Sequence, residues 1–148
     1  MTSAHASPIT AALPTRLVAG VVGGLTGGVI FGILMQMMGM MPMVAMLVGS
    51  KAVAVGWLVH LFNSALFGAI YAVLFGTWAD RLGPGAGLGL VYGVIWWILG
   101  ALLIMPLWLG MAAFQFNTMA WQSLMGHLLY GLALGVVYAL VRPRLHRE

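Results

Sequence analysis

Residues 57–76, WLVHLFNSALFGAIYAVLFG, contain no charged side chain over a length that can span a bilayer. Their apolar run is interrupted by one histidine, His60, and a related stretch follows later in the chain. Residues 127–141, HLLYGLALGVVYALV, have a histidine, a glycine eight residues later and Tyr-Ala three residues after that, as HLFNSALFGAIYAVL has. About 20 apolar residues cross a hydrocarbon core of about 30 Å. Both stretches therefore predict membrane-spanning helices.

The composition of the whole chain also indicates an integral membrane protein. Hydrophobic residues make up 63% of the 148 residues and charged residues only 5%, whereas soluble domains carry about 25% charged residues. The absence of cysteine excludes a disulfide framework and a thiolate metal site. The net charge of +4 comes from six Lys and Arg residues, most of them near predicted helix ends. Such positions are typical of topology signals. We therefore expect the chain to interact with a lipid bilayer and not with nucleic acid.

Four membrane-spanning helices are predicted in a single membrane domain, residues 1–148, at roughly 17–38, 53–76, 86–107 and 119–141. Residues 1–14 are polar and interrupted by prolines, which predicts a flexible N-terminal tail. Four spans place both termini on one side of the membrane. The cations of that side are Arg16, Arg81, Arg142, Arg144 and Arg147, whereas the other side has only Lys51. The positive-inside rule then predicts that both termini are cytoplasmic.

The first and third predicted spans match one another as the second and fourth do. Gly20, Gly24 and Gly28 align with Gly85, Gly89 and Gly93. The repeated unit is a helical hairpin, with repeat 1 at about 16–76 and repeat 2 at about 85–141. A unit with two spans returns to its starting side, so the copies would be parallel, with a pseudo-twofold axis along the membrane normal. The predicted fold is an all-α membrane protein built from a tandem duplicated hairpin.

Small residues at every fourth position predict how these helices pack. A stripe of this kind lets two helix backbones approach closely. The helix-packing candidates are Gly20, Gly24, Gly28, Gly68, Gly85, Gly89, Gly93, Gly131 and Gly135. His60 and Tyr71 fall on the same helix face as Gly68, and His127 and Tyr138 on the same face as Gly135. These faces would point inward in a compact four-helix bundle.

His60 and His127 are the main candidates for chemistry, because an ionisable residue inside a membrane is a functional hypothesis by default. Two facing neutral imidazoles can ligate a b-type haem or a metal ion. The competing interpretation, which we favour at this point, is that each histidine hydrogen-bonds a neighbouring helix and fixes packing. Further members of this candidate site or polar core are Asn63, Ser64, Tyr71 and Tyr138.

Methionines are concentrated after the first span. Met37, Met40 and Met41 form a weaker candidate metal site, because thioethers select Cu(I). The aligned part of the second copy has Gly100 and Leu102, which cannot coordinate a metal. Methionine is also a flexible apolar filler, and this second interpretation is favoured.

The sequence predicts no enzymatic activity. Asp80 and Glu148 are the only acidic residues, and no nucleophile–base arrangement or phosphate-binding loop is present. We therefore expect a non-enzymatic accessory subunit of a larger membrane complex, or a homo-oligomer. Two alternatives stay open. One is a haem- or metal-binding protein of electron transfer or sensing, and the other is an oligomeric channel or transporter for a small solute.

Several single positions suggest a family. The stretch 60–71, Ile104-Met105-Pro106-Leu107, Trp121 and Gly126-His127-Leu128 resemble small bacterial inner-membrane proteins of the YagU type, over about residues 57–135. The resemblance implies a multi-pass protein of the bacterial inner (plasma) membrane. The named member of that group has been connected with acid resistance, which implies a role in acid stress.

Overall fold

The computed structural model describes residues 8–145, with side chains from residue 12 onward. These residues form helices and no strand. The elements are α1 (Pro8–Met37), α2 (Met41–Met46), α3 (Val53–Phe75), α4 (Leu82–Trp96), a π-helical segment (Trp97–Ile104), α5 (Met105–Trp108) and α6 (Thr118–Leu145). Four helices are long and apolar enough to cross a membrane: Ala12–Met37, Val53–Phe75, Leu82–Trp108 and Thr118–Leu145. The predicted all-α membrane fold with four spans is therefore confirmed.

Two helix starts differ from the prediction because proline is tolerated in the first turn of a helix. The first-turn N–H groups have no helical acceptor, so a residue without an N–H loses nothing there. The helix α1 begins at Pro8, so residues 8–14, assigned to the flexible tail, are helical; residues 1–7 of that tail lie outside the described residues. Residues 82–85, which precede the predicted third span at 86–107, form the first turn of α4 and include Pro84.

Glycines bring the helices of each hairpin into backbone contact. A methyl group added at Gly20 would overlap the carbonyl oxygen of Gly68, so α1 and α3 touch there without side chains between them. In the second hairpin a methyl group at the aligned Gly85 would lie only 2.7 Å from the carbonyl oxygen of Gly135, which is aligned with Gly68, between α4 and α6. Matching glycines therefore make matching contacts. The pseudo-twofold axis itself stays a prediction.

The two hairpins meet closely on one side only. The helix α1 packs along α6, whereas the backbones of α3 and α4 scarcely meet. Gly23 and Gly27 of α1 lie directly against Leu134 and Tyr130 of α6. Bulky side chains hold helices further apart than glycines do.

The aligned positions of α4 carry large side chains instead. Leu88 corresponds to Gly23, and Tyr92 corresponds to Gly27. Tyr92 lies between α4 and α3, with its hydroxyl bonded to the Phe67 carbonyl oxygen, and side chains of this size hold helices apart. A gap therefore runs between the two helices.

Tyrosines form bonds between helices, and two of them, Tyr71 and Tyr138, lie towards the end of the bundle that holds residues 8 and 145, which we call the terminal end. All four tyrosines of the sequence donate a hydroxyl hydrogen to the backbone of another part of the bundle. The bonds are Tyr71 to Gly85 O (2.9 Å), Tyr92 to Phe67 O (2.6 Å), Tyr130 to Ser64 O (2.7 Å) and Tyr138 to Gly76 O (3.1 Å). Each bond joins α3 or the residue that follows it to α4 or α6.

At the opposite, distal end, the third span departs from α-helical geometry. In the π-helical segment the N–H of Met105 donates to Gly100, five residues back. Pro106 has no N–H for Leu102 four residues earlier, and the Leu102 carbonyl oxygen instead accepts the N–H of Phe114 at 2.7 Å. This bond holds the connection 109–117 against the end of the span.

Candidate ligand-binding cavity

A cavity of about 790 Å³ occupies the distal half of the gap between α3 and the π-helical segment. Its wall also includes the distal end of α1, α2 and the first half of α6. The wall stops at the level of Phe67 and Trp96, whose rings stack with centroids 3.9 Å apart. Small-molecule sites typically have volumes of about 300–1,000 Å³. The cavity is therefore of the right size for a drug-sized ligand, and of the four tyrosines only Tyr130 lines it.

The cavity opens sideways, on the apolar surface of the bundle. Leu58 and Phe62 of α3 line it and are each 70% exposed, and Ile104 of the π-helical segment is 52% exposed. Such apolar residues on the outer face of a membrane span lie against lipid. A molecule dissolved in the bilayer can therefore enter between α3 and the π-helical segment without crossing a polar surface.

The polar groups of the wall are few and uncharged. Those in the half of the cavity nearest its floor are His60, Asn63, Ser64, Ser123, His127 and Tyr130. Among the described residues that line the cavity there is no Asp, Glu, Lys or Arg. Burying a charge without a partner is very costly, so the wall suits a neutral ligand.

His60 uses one ring nitrogen to join two helices. Its Nε2 lies 2.8 Å from the carbonyl oxygen of Gly28 in α1. A carbonyl oxygen can only accept, so Nε2 carries the hydrogen and donates it. In the neutral ring, Nδ1 is then without a hydrogen and is an acceptor.

His127 uses the other ring nitrogen, and it bonds within its own helix. Its Nδ1 lies 2.8 Å from the carbonyl oxygen of Ser123, one turn earlier in α6. By the same argument Nδ1 donates, and Nε2 of the neutral ring is left as an acceptor. The Ser123 hydroxyl lies 3.3 Å from the same Nδ1.

Phe31 connects the two histidines. Its ring meets His60 and His127 edge-on, with ring centroids 5.5 Å and 4.8 Å away. Gly126 leaves the space for this ring, because a methyl group there would overlap it. The two histidines are thus brought to one level of the bundle around a shared phenyl ring, and both line the cavity.

The other members of the predicted polar core separate into two groups. Asn63 and Ser64 line the cavity with the histidines. Tyr71 and Tyr138 lie beyond the floor of the cavity and contact one another at 5.7 Å between ring centroids. Because their hydroxyls are already bonded to helix carbonyls, these two tyrosines are part of the packing of the bundle.

The three methionines proposed as a weak metal site lie in different surroundings. Met37 is 79% exposed, whereas Met40 and Met41 are buried, and of the three only Met40 lines the cavity. The cavity wall collects methionines from both hairpins: Met35, Met40, Met43, Met105, Met111 and Met119. Within the described residues no group of three His, Cys, Asp or Glu side chains could hold a metal ion.

Sequence reasoning missed several residues of the cavity. Ser123 lies one turn before His127, a spacing that predicts contact on a helix. Ser123 could therefore have been predicted from its spacing to His127. Phe31 and Trp96 are aligned aromatic residues of the two copies, which was a second signal. Met105, Met111 and Met119 had none, because they come from different elements and meet only in the folded chain.

The model of a family described as a family of unknown function, DUF6789, matches residues 13–148. The match includes all residues that line the cavity. None of the curated proteins and none of the solved structures matches the chain. The resemblance to the YagU type stays a prediction.

Proposed function

The chain belongs to the DUF6789 family, and from the geometry of its cavity we propose that it is a non-enzymatic membrane protein that binds a small lipophilic molecule. The observation that carries the proposal is the cavity of about 790 Å³, with an apolar wall and a few neutral polar groups at one level. Ligand sites commonly combine apolar surface for affinity with a few polar groups for orientation. The stacked Phe67 and Trp96 at the floor favour a binding site over a channel or transporter.

We place the protein in a bacterial inner membrane with both termini in the cytoplasm. The proposal rests on the cations near the terminal end, Arg16, Arg81, Arg142 and Arg144, against Lys51 alone near the distal end. An accessory subunit or a homo-oligomer would bind its ligand from the outer half of the bilayer. A link to acid stress is supported by the resemblance alone. A reporter enzyme fused to the C-terminus and active only outside the cytoplasm would contradict this orientation.

Filling the cavity should strongly reduce retention of the ligand. A methyl group added at Gly100 would meet only the Trp96 ring, at 3.9 Å, so a Gly100→Phe side chain has space to occupy the cavity. We expect lipophilic molecules that co-purify with the wild-type protein to fall by about tenfold or more in this variant, which corresponds to about 1.4 kcal/mol. The measurement is mass spectrometry of organic extracts of protein purified in mild detergent.

The matched control is Leu99→Phe, because Leu99 is the neighbouring residue, is exposed on the outer face and does not line the cavity. This variant should retain the same molecules as the wild type. Circular dichroism and gel filtration would establish that both variants are folded. Equal retention by folded Gly100→Phe protein, or no retained molecule in the folded wild type, would refute the proposed binding site.

A b-type haem is a second candidate ligand, favoured by the bond between His127 Nδ1 and the Ser123 carbonyl oxygen at 2.8 Å. Metal-binding histidines commonly donate their other N–H to such a carbonyl, which orients the ring. His60, however, holds its Nε2 against Gly28. The bis-histidine arrangement, which was the less favoured alternative from the sequence, would therefore require this bond to break, or His60 to bind through Nδ1.

An absorption spectrum tests the haem candidate. If haem is bound, protein purified from haem-supplied cells should show a Soret band, and dithionite should produce reduced α and β bands. The bands should disappear in His127→Ala, and persist in Leu132→Ala, a change at an exposed position of the same helix. A flat visible spectrum from folded wild-type protein would eliminate haem.

A further inference from the structure

We infer that the cavity selects a lipid-soluble phenol or hydroquinone, whose hydroxyl group donates a hydrogen bond to His60 Nδ1 or His127 Nε2. This inference rests on the proposed ligand site and names the chemical class of its ligand. It comes from the hydrogen bonds that the polar residues of the wall already make.

Four polar groups of the wall have given their hydrogens to backbone carbonyl oxygens. His60 Nε2 donates to Gly28 and His127 Nδ1 to Ser123, both at 2.8 Å. The Ser64 hydroxyl donates to the His60 carbonyl at 2.7 Å, and the Tyr130 hydroxyl donates to the Ser64 carbonyl at 2.7 Å. What these groups have left are acceptor lone pairs. A ligand that meets them therefore needs a donor of its own.

Among the other polar residues of the wall, Gln115 and Asn117 can donate but belong to the distal connection 109–117. The Ser123 hydroxyl lies 3.3 Å from His127 Nδ1. The indole N–H of Trp96 has no partner, but it is buried and does not open into the cavity. Asn63 carries both donors and an acceptor. A hydroxyl group both donates and accepts, so it can bond an imidazole nitrogen and Asn63 together. An ether or a ketone of the same shape can only accept, and beside the histidines it would find a donor only at Asn63 or Ser123.

The residues that line the cavity also indicate that the ligand is neutral and aromatic. No charged residue of the described chain lines the cavity, so neither a carboxylate nor an ammonium group would find a partner there. Phe31 and the stacked pair Phe67 and Trp96 supply aromatic surface beside the histidines. Methionine sulfur makes favourable contacts with aromatic rings, and six methionines line the wall. A phenolic hydroxyl is also a stronger donor than an aliphatic one.

The test compares 4-hexylphenol with its methyl ether, 4-hexylanisole, which has the same ring and tail and lacks the donor. Binding to the wild-type protein in lipid nanodiscs is measured by calorimetry, with empty nanodiscs subtracted. A hydrogen bond contributes about 0.5–1.5 kcal/mol net, so we expect the phenol to bind about threefold to tenfold more tightly than the ether. His127→Leu should reduce this preference, and His127→Gln, which keeps an acceptor oxygen, should restore part of it.

A second pair of compounds distinguishes a hydroquinone ligand from a simple phenol. Tetramethylhydroquinone and tetramethylbenzoquinone have nearly the same shape, and only the reduced form can donate. Tighter binding of the reduced form, without oxygen, would support a hydroquinone ligand, whereas a preference seen only with the hexyl pair would support a simple phenol.

The wild-type comparisons decide the inference even if a histidine variant does not fold. Equal binding of donor and non-donor molecules in both pairs would overturn it, and so would a lack of binding by all four. Neither outcome removes the proposed ligand site, because that site is tested separately by the molecules that Gly100→Phe fails to retain.

Discussion

Gly89→Ala is expected to disrupt the bundle, although it adds only one methyl group. The added carbon would overlap the carbonyl oxygen and carbon of Gly131. These are backbone atoms of α6, which cannot rotate away as a side chain can, so α4 and α6 must separate. Overpacking typically costs about 1–3 kcal/mol, and we expect the upper end of this range or more because a whole helix contact is lost. The measurement is the free energy of unfolding in a detergent titration followed by circular dichroism.

Gly87→Ala is the matched control, two residues away on the same helix. Nothing lies within 4 Å of a methyl group at Gly87. Alanine favours a helix over glycine by about 1 kcal/mol, so this variant should be as stable as the wild type or slightly more stable. If the two variants unfold alike, close backbone contact at Gly89 is not what holds α4 and α6 together.

Tyr71→Ala should be the most damaging change in the gap between α3 and α4. Tyr71 is fully buried, and its ring lies 5.3 Å from that of Tyr92 and 5.7 Å from that of Tyr138 between centroids. Removing a buried aromatic ring leaves a cavity and typically costs about 3–5 kcal/mol. The same unfolding titration measures the loss.

Tyr71→Phe separates the ring from its hydroxyl. Only the bond to the Gly85 carbonyl oxygen, 2.9 Å long, is lost, and bonds between membrane helices are worth about 0.6 kcal/mol on average with a maximum of about 1.7. Phe62→Ala, at a position 70% exposed to the surroundings, is the control for removal of a ring and should cost far less than Tyr71→Ala. A loss in Tyr71→Phe as large as in Tyr71→Ala would mean that the hydroxyl bond, rather than ring packing, stabilises this region.

The two histidines occupy aligned positions of the repeat but make different hydrogen bonds. Both lie at one level of the bundle, where they meet around Phe31. The repeat did not predict that they would bond differently. His60 donates from Nε2 to another helix and His127 from Nδ1 to its own. Ring orientation depends on which carbonyl is nearest, and that depends on neighbours that the two copies do not share.

The sequence by itself determined the four spans and the close contacts within each hairpin. Apolar length and glycine spacing act locally, because one run of residues must cross the hydrocarbon and one stripe lies on one face. Helix ends were less predictable at Pro8 and Pro84, because a proline can end a loop or begin a helix.

Only the tertiary structure decided that the bundle has a cavity. The sequence shows that the two copies differ at two aligned positions, with Gly23 and Gly27 in the first copy and Leu88 and Tyr92 in the second. Its effect depends on which helices are neighbours, since the same side chains facing lipid would leave no gap. The cavity wall is assembled from residues of both hairpins. The ligand site is therefore a property of how the two halves pack, and no single stretch of the chain contains it.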